Sequence, residues 1–165
     1  MIVAVTGHRP ERWKTEEERA APRVALFRAL NEIAPTLLLS GMARGVDQWA
    51  CGWILQTDDA YWLGGGHACR TKLRAVYPFY RDDARWDYAE RHYRQWVVER
   101  VADQGLLESE VTVSESAHGA YHARNRYLVD HCDLLVAVYD GGPGGTKYTV
   151  DYARKVGREI RMVMW

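Results

Sequence analysis

No apolar run in the 165 residues is long enough to span a bilayer, which excludes a transmembrane helix. A signal-peptide layout is also missing, because Met1-Ile2-Val3 leads straight into a strand pattern; the expected compartment is the cytoplasm. Net charge is lacking too, with 22 Lys and Arg against 22 Asp and Glu. That argues against a protein that grips nucleic acid through a broad positive field. Cysteine is scarce. Cys51, Cys69 and Cys132 are odd in number and far apart, so no disulfide framework is implied. Even with His67 their spacing fits no standard zinc pattern, and no metal site is expected. Repeats, low-complexity tracts and flexible linkers are absent as well. What remains, 47% hydrophobic and 27% charged, is globular, and its length suits one domain over 1–165 with a real core.

The most informative stretch runs from Arg124 to Ala153. Leu134 to Tyr139 is an unbroken apolar run ending at Asp140, the pattern of a strand buried on both faces. Gly141-Gly142-Pro143-Gly144-Gly145-Thr146 follows, and Tyr148, Val150, Tyr152, Ala153 and Val156 then recur at roughly helical spacing. The order is strand, glycine-rich turn, helix. A helix start exposes unpaired N–H groups and the positive end of its dipole, and glycines let a phosphate approach the main chain. Glycines at such turns also serve backbone geometry alone, so recurrence matters.

The unit recurs. Ile2 to Thr6 reads as a strand ending in Gly7-His8-Arg9-Pro10, which puts Gly7, His8 and Arg9 at the sheet edge where open α/β sheets bind ligands. Thr36 to Leu39 is a second buried strand, followed by Ser40-Gly41-Met42-Ala43-Arg44-Gly45-Val46-Asp47 and a helix from Val46 to Leu55. Ser40 and the N–H groups around Gly41, Met42 and Gly45 suit a phosphate or ribose. Asp47, itself an anion, suits ribose hydroxyls or its own helix cap.

Between these units, Glu16 to Ile33 reads as an amphipathic helix whose apolar face is Ala20, Val24, Leu26, Phe27, Leu30 and Ile33. Gln56 to Thr71 reads as a long loop, with Trp62 as packing anchor or lid. Leu73 to Tyr77 is the third strand, with Arg81 and Arg85 just beyond it as further candidates to reach a ligand. Arg85 to Ala102 is a helix rich in aromatics: Trp86, Tyr88, Tyr93 and Trp96. Aromatics at helical spacing indicate core or interface before a base-stacking platform. Glu110 to Val113 is the fourth strand and Tyr121 to Asp130 a helix. It carries Arg124, Asn125 and Arg126; the arginines suit surface charges or, for Arg124 with Asn125, a brace on the wall opposite the phosphate, and Asn125 is expected to hydrogen-bond across to the Gly144 turn. Ile160 to Met164 is the last strand.

The ordered set Val5-Thr6-Gly7-His8-Arg9-Pro10, Ser40-Gly41-Met42-Ala43-Arg44-Gly45-Val46-Asp47-Gln48-Trp49-Ala50, Arg124-Asn125-Arg126 with Val129-Asp130, and Gly144-Gly145-Thr146 with Thr149 resembles the SLOG superfamily of Rossmann-like nucleotide-binding proteins. That group includes the lonely-guy phosphoribohydrolases, DNA-processing protein A, proteins proposed to carry molybdenum cofactor, and sensor domains of anti-phage defence proteins. The phosphoribohydrolase motif reads Pro-Gly-Gly-x-Gly-Thr-x-x-Glu. Here Pro143, Gly144 and Gly145 match, Lys147 and Tyr148 replace the second Gly-Thr, and Asp151 stands at the Glu. Asp151 is one methylene shorter, and the family's upstream Arg is matched at best by Arg124. Glycosidic cleavage needs a carboxylate at the reacting centre, so the phosphate cradle is better supported than catalysis.

The expected fold is a three-layer α/β Rossmann-like sandwich with a mostly parallel sheet, its ligand site where the Gly7, Gly41 and Gly144 turns converge. The expected ligand is nucleotide-like: an ADP-ribose derivative or another phosphorylated nucleoside, sensed, carried or sequestered, with no further cofactor. The candidate residues are Gly7, His8, Arg9, Ser40, Gly41, Met42, Gly45, Asp47, Arg124, Asn125, Asp140, Gly144, Gly145 and Thr146. The alternatives are a nucleoside 5′-monophosphate phosphoribohydrolase using Asp151 and Arg124, and DNA binding as in DNA-processing protein A, which the absence of net charge disfavours. Aromatics beyond what one core can cover on the Arg85 to Ala102 helix point to a homo-oligomer, at least a dimer.

Overall fold

Strand side chains alternate between two faces, and the apolar runs of this chain fill both. The computed structural model describes residues 1–59 and 70–165. Among them six strands form one sheet in which every pairing is parallel: β1 (Ile2–Gly7), β2 (Leu37–Ser40), β3 (Lys72–Tyr77), β4 (Leu107–Thr112), β5 (Leu134–Val138) and β6 (Glu159–Val163). Their order is β4-β3-β2-β1-β5-β6. Val3, Val5, Leu38, Leu134, Val136 and Val138 enter one core. Ala4, Leu39, Val76 and Leu135 enter a second core on the opposite face. This is the three-layer arrangement expected, with an entirely parallel sheet.

Helices α1 (Glu16–Ile33), α2 (Val46–Asp59) and α3 (Tyr88–Asp103) supply the first core through Leu26, Leu30, Ile54, Val97 and Val101. Helices α4 (Ala120–Asp130) and α5 (Gly145–Lys155) supply the second through Leu128, Val129 and Ala153. The chain runs outward from β1 through β2 and β3 to β4, then returns through α4 to β5 on the other side of β1. Connections therefore diverge between β1 and β5, which opens a crevice beyond their carboxyl ends, the switch point where open α/β sheets bind ligands.

Local chemistry sets the helix starts. Thr15 caps α1, its hydroxyl accepting the Glu18 N–H at 3.2 Å. Asp87 caps α3 by accepting the Glu90 N–H at 2.8 Å, and Glu90 accepts the Asp87 N–H at 3.3 Å, a full capping box. That cap starts α3 at Tyr88 rather than Arg85, so Trp86 precedes the helix. Its ring instead lies 4.7 Å from the Arg94 guanidinium. α2 runs on to Asp59 where a loop was expected from Gln56, and β4 begins earlier, at Leu107. On α1, Val24 is 54% exposed and leaves the apolar face, which Pro22 and Ala29 join. His67, Cys69 and Trp62 lie outside the described residues. Among those described, no helix is long and apolar enough to cross a membrane.

Candidate functional site

The crevice between β1 and β5 holds a cavity of about 500 Å³, within the ordinary range for small-molecule sites. Its walls are Thr6, Gly7, His8 and Arg9 from the end of β1, Glu11 and Arg12 just beyond, Ala43 and Asp47 before and on α2, Tyr121, Arg124, Asn125 and Leu128 on α4, and Pro143 to Thr146 at the start of α5. Of the residues expected from sequence, Gly7, His8, Arg9, Asp47, Arg124, Asn125, Gly144, Gly145 and Thr146 meet here although they come from four separate segments.

One side of the cavity is the N-terminus of α5. Its first helical bond is given by the Tyr148 N–H to the Gly144 carbonyl at 3.1 Å, so the N–H groups of Gly145, Thr146 and Lys147 have no helical acceptor. Gly144 occupies the cap position with φ 130°, ψ −165°, and no side chain among the described residues caps the helix. Only glycine adopts that conformation cheaply, and no atom of the described residues stands within 4 Å of where its Cβ would be. The turn leaves the helix end open. Asn125 steadies it by donating from Nδ2 to the Gly145 carbonyl at 3.4 Å, and the Thr149 hydroxyl donates to the same oxygen at 2.9 Å.

Two threonines add donors. Thr6 and Thr146 are 7% and 6% exposed, both line the cavity, and neither hydroxyl has a protein partner among the described residues. Neither hydroxyl is sealed from the cavity, so both are free to donate to a polar guest. Cations follow a similar logic. Arg12 is bound to Asp140, its Nε donating at 2.7 Å, and Arg124 is engaged as described below. Arg9 is exposed and, among the described residues, has no ion partner. It is the wall's uncommitted positive charge.

Arg124 braces the opposite wall. Its Nη1 donates to the Gly41 carbonyl and lies 3.6 Å from Asp47 Oδ2, while Nε donates to Asn125 Oδ1 at 2.9 Å. A Cβ on Gly41 would fall 1.9 Å from that Nη1, so glycine there is a matter of space. Burial pushes the Asp47 carboxyl up, opposed by Arg124, the Ala43 N–H and Arg9. Burial likewise lowers Arg124, opposed first by Asp47.

Several expected ligand residues serve the framework and do not line the cavity. Ser40 is fully buried; its hydroxyl donates to the Asp47 carbonyl at 3.0 Å and accepts the Met42 N–H at 3.1 Å. Gly41, Met42 and Gly45 shape the same turn, Met42 and Gly45 at φ 54° and 88°. Asp140 ties β5 to the β1 exit: its carboxylate accepts from Arg12, from His8 Nε2 at 2.8 Å and from the Gly142 N–H at 3.0 Å. Burial alone would raise Asp140, but the Gly142 N–H, Arg12 and His8 outweigh it and hold it down to about 2. Arg81 and Arg85 do not line the cavity. Neither does Asp151. On α5, Thr146, Thr149, Val150 and Ala153 turn inward, which puts Asp151 on the outer face, 47% exposed and paired with Lys147 and Arg154.

Sequence reading missed Thr6, Glu11, Arg12, Ala43, Pro143, Tyr121 and Leu128. The signal for the last two was present: Tyr121, Arg124, Asn125 and Leu128 fall at i, i+3, i+4 and i+7 and share one helix face.

Known proteins extend this picture. Over 125 residues the chain is 30% identical to the uncharacterized SPbeta prophage-derived protein YoqJ of Bacillus subtilis, covering 71% of this chain and 68% of that protein. A UPF0398 protein of Bacillus thuringiensis is 25% identical over 165 residues, 94% of this chain and 84% of its own length. Among solved structures, DNA processing protein A of Helicobacter pylori superposes with a TM-score of 0.61 at 19% identity, over 98% of this chain and 64% of that one; this likeness is one of fold. Residues 3–164 match the YspA SLOG family, and the chain belongs to that family.

Proposed function

We propose that the cavity binds a small phosphorylated ligand of nucleotide type, such as an ADP-ribose derivative or another phosphorylated nucleoside. One observation carries the reading: the uncapped start of α5 and the unpartnered hydroxyls of Thr6 and Thr146 converge on one cavity. A phosphate there accepts the Gly145 and Thr146 N–H groups, the arrangement that favours anions at helix starts. Arg9 adds a charge-assisted bond. The Asp47 carboxylate, on the far wall, accepts from ribose hydroxyls. Native mass spectrometry of protein purified without added ligand tests this. A bound mass matching a phosphorylated nucleoside supports it; a ligand-free spectrum together with no calorimetric binding of a nucleotide panel overturns it.

Phosphoribohydrolase activity is the weaker reading, because Asp151 points away from the cavity. DNA binding is also disfavoured. The H. pylori neighbour binds single-stranded DNA, but this chain has zero net charge and pairs Lys147 and Arg154 with Asp151. Tyr88, Tyr93 and Trp96 stand 75%, 41% and 44% exposed on α3, which supports self-association through that helix. Light scattering coupled to size exclusion tests it, and a 19.0 kDa particle at tens of micromolar refutes it.

A further inference from the structure

The cavity carries one large aromatic ring that no part of the phosphate site needs. Tyr121 lines the cavity and is 41% exposed. Its hydroxyl has no hydrogen-bond partner among the described residues. Phe79, just after β3, packs against the ring in a T-shaped pair, with centroids 5.8 Å apart and planes at 86°. One such neighbour covers at most one face of a ring and leaves the other for a guest.

Its height above the phosphate site follows from α4. Asn125 bonds the Gly145 carbonyl, so it stands level with the start of α5. Tyr121 lies four residues earlier, about 6 Å along the helix axis toward the mouth, and helical side chains lean further toward the N-terminus. A ribose with its 5′-carbon spans that kind of gap. Below Tyr121 the same face presents Arg124, Asn125 and then Leu128 at the floor. The wall thus passes from apolar floor through polar middle to aromatic rim.

We infer that Tyr121 is the platform on which the ligand's nucleobase stacks, and that the ligand class is therefore a nucleoside 5′-phosphate and not a bare sugar phosphate. This rests on the phosphate site proposed above. Stacking is tolerant of base identity because every base has a π-face, so Tyr121 supplies affinity for a base without choosing among the four.

The test compares ribose 5-phosphate with the four nucleoside 5′-monophosphates by calorimetry, on wild type, Tyr121→Ala and Tyr121→Phe. Wild type should bind the nucleotides about tenfold or more tighter than ribose 5-phosphate. Tyr121→Ala should erase that gap while leaving ribose 5-phosphate affinity unchanged, which also shows that the variant is folded. Tyr121→Phe should keep the gap. A wild type that binds ribose 5-phosphate as tightly as the nucleotides overturns the inference and spares the phosphate site. So does a gap that survives in Tyr121→Ala. No binding of any probe by wild type overturns both readings together.

Discussion

Gly145 is the position where function and stability should separate most sharply. Its backbone is not in the left-handed region, and among the described residues a Cβ there would meet only Asn125 Nδ2, at an ordinary 3.8 Å. Gly145→Ala therefore fits, and by restricting the unfolded chain it stabilises by up to about 1 kcal/mol. Gly145→Asp adds a carboxylate to the first turn of α5, favourable by about 0.3–1 kcal/mol with the helix dipole. Both variants should melt at, or about 2–4 °C above, the wild-type temperature. Binding should go the other way. A carboxylate on residue 145 would stand about 4 Å from a phosphate held by the same N–H groups. At an effective dielectric near 20, like charges at that distance repel by about 4 kcal/mol, roughly a thousandfold in affinity. The assay is a thermal melt paired with calorimetry on nucleoside 5′-monophosphates. A Gly145→Asp protein that is more stable yet unable to bind fits the reasoning. Wild-type affinity would refute the placement of the phosphate, and a melt lowered by many degrees would show the glycine to be structural.

Other perturbations address the frame around the cavity. Gly41→Ala drives a methyl into the Arg124 Nη1 and lies 2.7 Å from Asp47 Oδ2; losing that buried pair should cost about 3 kcal/mol or more and lower the melt by about 10 °C, whereas an unchanged melt would mean that Arg124 is not held as described. Asp140 is held down to about 2 in the fold. Its contribution is therefore fully present above the unfolded carboxyl range near pH 4 and lost as pH falls toward about 2. Asp140→Asn should thus be less stable than wild type by about 1–2 kcal/mol at pH 6, and denaturant curves for the two should converge near pH 2; a difference that persists there would be inconsistent with this linkage. Adenosine 5′-monophosphate should survive incubation with the protein, and Asp151→Asn should change nothing. Release of adenine that Asp151→Asn abolishes would instead favour the hydrolase reading.

The strands were legible because parallel strands buried on both faces leave unbroken apolar runs, as at Leu134 to Tyr139. Helix starts were less so. The aromatic spacing that includes Trp86 suggested an earlier start to α3, but the Asp87–Glu90 capping box decides it. In the site, the glycine turns could be read from their recurrence after strands. The division of labour among their residues could not. Ser40 looks like a free hydroxyl beside a glycine, yet the turn folds it onto the Asp47 carbonyl. The His8–Asp140 contact joins residues 132 apart, and only the adjacency of β1 and β5 creates it. Asp151 is the opposite case: helical phase alone sets it against Thr146, Thr149 and Val150, so its outward direction is legible in the sequence.

The central claim is that the α5 N-terminus receives a phosphate. Amide NMR during titration with adenosine 5′-monophosphate, and separately with inorganic phosphate, reads those donors one by one. The largest shifts should fall on the Gly145 and Thr146 amides with both probes, and Gly145→Asp should remove them. Shifts absent from those two amides, or concentrated on α3 and β4, would contradict the claim.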